Sequence, residues 1–126
     1  MIAVGGHYLS PLPDLLVRAS CPFAGGVGDS NHGLCGALSG GVIVLGALWG
    51  RATSSENDDF VQELTRRYWD RFMDALGETK CQDIRDLPRI GANGCGPVVE
   101  EGCRILIDLI EKERAEHPFR NSDQAI

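Results

Sequence analysis

The stretch from Gly25 to Gly50, GGVGDSNHGLCGALSGGVIVLGALWG, constrains the fold of this chain more than any other. From Leu34 to Trp49 it carries no charged residue. Glycine in a helix interior costs about 1 kcal/mol relative to alanine, so a helix this rich in glycine needs a compensating contact. Gly36 with Gly40, and Gly46 with Gly50, form two G-x-x-x-G pairs, a spacing that strips one helix face of side-chain bulk. The stretch is therefore expected to be a glycine-rich loop leading into a buried helix. A second helix, or a twofold copy of the same one, would approach that helix closely. As a helix Leu34 to Trp49 would reach about 24 Å, short of the ~30 Å hydrocarbon core of a bilayer. No aromatic and basic belt brackets both of its ends, so it is read as core and not as a membrane span.

The rest of the chain fits around such a core. Its 126 residues suit a single domain over 1–126, with 43% hydrophobic and 24% charged residues, an ordinary globular balance. Net charge is −6, which offers no field attractive to nucleic acid or to an anionic membrane surface. Met1 to Pro13 has neither a basic n-region nor a continuous apolar run, so no secretory signal is read and a cytoplasmic location is expected.

Periodicity predicts an all-α fold, a small bundle of four to five helices around the glycine-rich central one. Residues 1–12 show no period and are expected to be an extended or poorly ordered lead-in. Pro11 and Pro13 introduce a short helix with Asp14 in its first turn. The linker ATSSEND offers Ser54 and Ser55 as N-caps for a helix from about Glu56 to Leu76. There Phe60, Leu64, Tyr68, Phe72 and Leu76 recur every four residues, and Gly77 is placed to stop it. Thr79 reads as the cap of a short helix that Pro88 ends. A second glycine loop, Arg89 to Gly96, leads to a helix that opens with Pro97 and runs to about Glu116. Its buried face is expected to hold Val98, Val99, Cys103, Leu106, Ile107 and Ile110. The tail 117–126 is polar and expected to fray.

The chemistry rests on five cysteines, Cys21, Cys35, Cys81, Cys95 and Cys103. Their number is odd and their spacing wide, which argues against a disulfide framework. No C-x-x-C occurs, so neither a thioredoxin motif nor a zinc ribbon is present, and without C-x-x-C-H there is no c-type haem site. Cys35, Cys81 and Cys95 each fall at or just before a helix N-terminus, beside glycine or a capping residue. There the helix amides depress a thiol's pKa, as both redox and metal-ligand cysteines require. Soft thiolates favour zinc or an iron–sulfur cluster over hard cations. Cys21 is a further candidate, and so is His32, three residues before Cys35. Cys103 lies mid-helix on an apolar face and is read as core. No Ser/His/Asp set or carboxylate pair suggests hydrolase or transferase chemistry.

These residues resemble a known family. Cys35-Gly36-Ala37-Leu38-Ser39-Gly40 matches the C-G-A-x-x-G motif of the C-GCAxxG-C-C family, whose members are regarded as redox-active. The similarity continues through the 56–76 helix, ETKCQDI with Cys81, and Cys95 followed by VVEEGCRILIDLIEKE, so it spans residues 14–116. The resemblance implies a small all-helical protein with four characteristic cysteines that handles electrons or a metal cluster. A related domain occurs in split-Soret cytochromes, which are dimers holding an iron–sulfur-type centre as well as haem. The family places its first cysteine on an N-terminal helix. Here MIAVGGHYLSPLP stands in that position and no cysteine precedes Cys21.

Two readings follow. In one, Cys35, Cys81 and Cys95 form a redox centre or bind a metal or iron–sulfur cluster, with a redox protein as partner. In the other, the chain is a non-catalytic module that homodimerises through the glycine face, and its cysteines are structural.

Overall fold

The computed structural model describes residues 1–91 and 94–120. It is all-α, with no strand among the described residues. Five helices have seven residues or more: α1 (Ile2–Tyr8), α2 (Asp14–Ser20), α3 (Gly36–Trp49), α4 (Asp59–Leu76) and α7 (Gly96–Glu113). Two short ones, α5 (Cys81–Arg85) and α6 (Pro88–Gly91), lie between α4 and α7. No helix among the described residues is long and apolar enough to cross a membrane.

The core forms where α3, α4 and α7 pack pairwise. Leu38, Val44, Leu45 and Leu48 of α3 are fully buried, as are Leu64, Tyr68 and Phe72 of α4. The four-residue recurrence in α4 is the stripe expected from the sequence, and the helix ends at Gly77 with φ +82°. Ridges of large side chains on α4 and α7 meet small residues on α3, which lets the three helices approach closely.

Tyr68 shows what the glycines are for. A Cβ at Gly41 would lie 2.5 Å from Cε2 and Cζ of its ring. The Tyr68 hydroxyl donates to Ala37 O at 3.2 Å and lies 3.4 Å from Gly102 O, so one side chain ties α4 to both α3 and α7. Gly40 faces the start of α1, where a Cβ would sit 3.1 Å from Met1 N. The close approaches therefore fall at Gly40 and Gly41, within the chain, and not along a G-x-x-x-G pair. At Gly46 a Cβ would meet nothing within 4 Å.

Several expectations are corrected. The lead-in is a helix, α1, and it buries Val4 and Leu9 in the common core. Tyr8 fastens its end to α7 by donating to Glu111 Oε1 at 2.6 Å. Its sequence has no helical period because tertiary contacts, not amphipathicity, hold it. The tail is ordered as far as it is described. His117 stacks on Phe60 at 3.9 Å, Phe119 meets Trp49 edge-on, and the Arg120 N–H donates to Leu48 O at 2.9 Å. Residues 121–126 lie outside the described residues.

The N-cap of α4 is Asp58, and not Ser54 or Ser55, with Asn57 Oδ1 just before it accepting from the Asp59 N–H at 2.8 Å. Lys80, not Thr79, precedes α5, and Pro88 opens α6 as well as ending α5. On α7 the buried face is centred on Gly102, Ile105 and Leu109, because Gly102 is the residue that faces Tyr68. Val99 and Ile107 consequently turn outward, at 50% and 42% exposure.

Gly41→Ala is expected to destabilise the protein by about 2 kcal/mol, because the Tyr68 ring is buried on all sides and has no room to yield. Gly46→Ala should stabilise it by roughly 0.5–1 kcal/mol, since the new methyl meets nothing and helix propensity improves. Thermal unfolding of both variants beside wild type checks the pair.

Candidate thiol site

Two loop segments are clipped together at the N-terminal end of α3. Leu34 and Lys80 form an isolated antiparallel bridge. The Cys35 N–H donates to Thr79 O at 2.8 Å and the Cys81 N–H to Gly33 O at 2.9 Å. Just beyond, the Gln82 N–H donates to Asn31 O at 3.1 Å. Side chains alternate faces along an extended backbone, so Cys35 and Cys81, flanking the Leu34–Lys80 pair, project to the same side. They are diagonal neighbours across the bridge.

Cys35 is the N-cap of α3 and is 8% exposed. Its thiol is pushed above the ordinary range, first by burial. The backbone N–H groups of Ala37 and Leu38 act in the opposite direction, as a helix N-terminus should. Like-charge repulsion from Cys81 and then Cys95 adds to the upward shift. Sequence position suggested a depressed pKa at Cys35, and the structure reverses this because desolvation outweighs the helix amides.

Cys81 is 7% exposed, and its Sγ lies 3.6 Å from Asn31 Oδ1, an oxygen that also accepts from Arg85 Nη1 at 3.3 Å. The loop ahead of the clip covers it. Gly25 to Asp29 have positive φ at five successive positions, and Asn31 follows at +63°. At Gly26 a Cβ would sit 2.6 Å from Cys81 Cβ, so the backbone itself is the cover. Val27 holds φ +69°, a conformation that costs a β-branched residue about 1–2 kcal/mol. The Asn31 and Gly33 N–H groups, donating to Gly25 O and Gly26 O at 2.9 Å, hold the turn closed.

Cys95 is exposed at the N-cap of α7. Cys103 is half-buried against the core, and burial with repulsion from Cys103 and Cys35 raises the Tyr68 phenol. Of the other thiols, Cys81 shares the clip with Cys35, while Cys95 stands at the start of a different helix. Cys21, in a 3₁₀ turn after α2, is exposed, and so is His32, whose backbone N–H bonds Ser30 Oγ. Neither figures in the repulsion acting on Cys35.

All five cysteines are free thiols. Among the described residues no three His, Cys, Asp or Glu side chains are grouped so as to hold a metal ion.

Sequence reading passed over Asn31 and Arg85. The signal available for Asn31 was its residue type, since asparagine tolerates the left-handed region better than other residues with a side chain. Arg85 had no signal, because its contact spans 54 residues of sequence.

A thiol raised in the folded state gives stability that is fully present below its unfolded pKa and is lost as pH rises through the folded value. Wild type should therefore lose stability on passing upward through the ordinary thiol range. Cys35→Ala should flatten that alkaline limb, as measured by urea unfolding at stepped pH.

No curated protein and no solved structure matches the chain. The family model described as putative redox-active protein (C-GCAxxG-C-C) matches residues 2–109. That match begins at Ile2, the first residue of α1. The chain belongs to the C-GCAxxG-C-C family of putative redox-active proteins.

Proposed function

We propose that the protein carries out thiol–disulfide exchange, with Cys35 as the hub of the site and Cys95 and Cys81 as its partners. The observation that supports this reading is the hydrogen-bonded clip that turns Cys35 and Cys81 to the same side.

The roles follow from exposure. Cys95 is open to solvent and is the sulfur that meets an incoming disulfide. As thiolate it attacks one sulfur of the substrate, forming a mixed disulfide and expelling a thiolate that takes a proton from water. Cys35 then gives up its proton and attacks Cys95 Sγ, releasing the second substrate thiol. The balance is two protein thiols oxidised to one disulfide, and one substrate disulfide reduced to two thiols. Burial suits Cys35 to this second step, because a thiol held protonated is unreactive toward solvent oxidants until a disulfide forms beside it. In this reading Cys81, sharing its face, exchanges with the new disulfide and frees Cys95 again.

The test is to expose reduced protein to oxidised glutathione and count free thiols, then map the bond by peptide mass analysis. Two thiols should be lost, in a disulfide that contains Cys35. Cys35→Ser should arrest the protein as a glutathione adduct on Cys95, and Cys103→Ser should behave as wild type. Five unreacted thiols, or an internal disulfide formed equally well without Cys35, would refute the proposal.

A further inference from the structure

The loop over Cys81 is held down by its backbone alone. Gly25, Gly26, Val27, Gly28 and Asp29 take positive φ in succession, and of Gly25–Ser30 only Gly26 is buried. A Cβ at Gly26 would lie 2.6 Å from Cys81 Cβ, so its peptide sits directly against the cysteine. No side chain of Gly25–Ser30 belongs to the core that the described residues form. The fastening is a short set of hydrogen bonds. Gly26 O accepts from the Gly33 N–H at 2.9 Å and from Ser30 Oγ at 2.8 Å, and Gly25 O accepts from the Asn31 N–H at 2.9 Å.

Val27 works against that fastening. Its φ of +69° is costly for a β-branched residue, and its side chain, 49% exposed, gains no place in the core in return. A segment with few backbone bonds, no buried side chain and a strained residue at its centre is of the kind that opens locally while the fold around it stays intact.

We infer that Gly25–Ser30 is a lid over the Cys35–Cys81 pair, set close to its opening point by the strain at Val27. The inference rests on the reading of Cys35, Cys81 and Cys95 as a thiol–disulfide exchange site and adds the control of access to it. Cys35 and Cys81 are 8% and 7% exposed, so the closed loop keeps an outside disulfide off both. Gly33 marks the boundary of the moving part, since its N–H bonds the lid and its carbonyl accepts from Cys81 in the clip. Lifting the lid therefore uncovers Cys81 without undoing the bonds that turn the two sulfurs to one side.

The test is the rate at which methyl methanethiosulfonate, an uncharged reagent, labels Cys81 in reduced full-length protein near neutral pH. Peptide mass analysis follows Cys81, with the exposed Cys95 as reference. Val27→Gly and Val27→Asn both relieve the strain and add no charge. Each should slow labelling of Cys81 by about three- to tenfold and leave Cys95 unchanged. Asparagine keeps a side chain, so agreement of the two variants separates relief of strain from added chain flexibility. Amide exchange at Gly33 should slow by the same factor, because it reports the same opening. An unchanged or faster rate at Cys81 in Val27→Asn, or slower labelling without slower exchange at Gly33, would overturn the inference. Both readouts use reduced protein and are independent of whether glutathione ever forms a disulfide at Cys35.

Discussion

The site depends on two hydrogen bonds of an isolated antiparallel bridge, from Cys35 to Thr79 and from Cys81 to Gly33. They join segments more than 40 residues apart and turn two sulfurs to one side. Every other feature of the site is arranged around that clip. The left-handed turn at Gly25–Asp29 delivers Asn31 and Gly33 to it, and Lys80 leads directly from it into α5. Such a clip is small, and its strength comes from what lies on either side. Cys35 caps a helix embedded in the core, and Ile84 of α5 is buried in that same core.

The embedding of α3 is the second constraint. A helix with glycine at positions 40 and 41 survives because neighbours occupy the space the missing side chains leave. Met1 fills one side and the Tyr68 ring the other. Tyr68 closes the arrangement by donating to a carbonyl of α3 beside one of α7. Cys35 belongs to the same buried core as that ring, so the packing that fixes the bundle also buries Cys35 and pushes its thiol up. Stability and chemistry thus meet in one interaction. Burial makes Cys35 a quiet thiol, in contrast to the exposed Cys95.

Much of the bundle was legible in the sequence because its long helices obey a period. Phe60 to Leu76 mark α4 at four-residue spacing, and Gly77 ends it as expected. The apolar run at Leu34–Trp49 and the loop ahead of it were equally plain. Illegible were the parts fixed by tertiary contact. Nothing in IAVGGHY announces a helix, since α1 forms against α3 and α7 and uses its glycine as a contact point. On α7 Val98, Leu106 and Ile110 are buried as expected, but Val99 and Ile107 turn outward because the face centres on Gly102, the residue that meets Tyr68. At the site, residue type pointed to Cys35, Cys81 and Cys95. Chain position alone suggested a lowered pKa at Cys35, because the cost of burial is invisible until the neighbours are known.

Amide hydrogen exchange at Cys35 and Cys81 in the reduced protein tests the central claim most directly, since each of these N–H groups is one half of the clip. The account expects both to exchange nearly as slowly as the core amides of α3 and α4, as a bridge anchored in the core should. Exchange of either at the rate of an unstructured peptide, with the core amides still protected, would mean that the two sulfurs are not held together and would contradict the account.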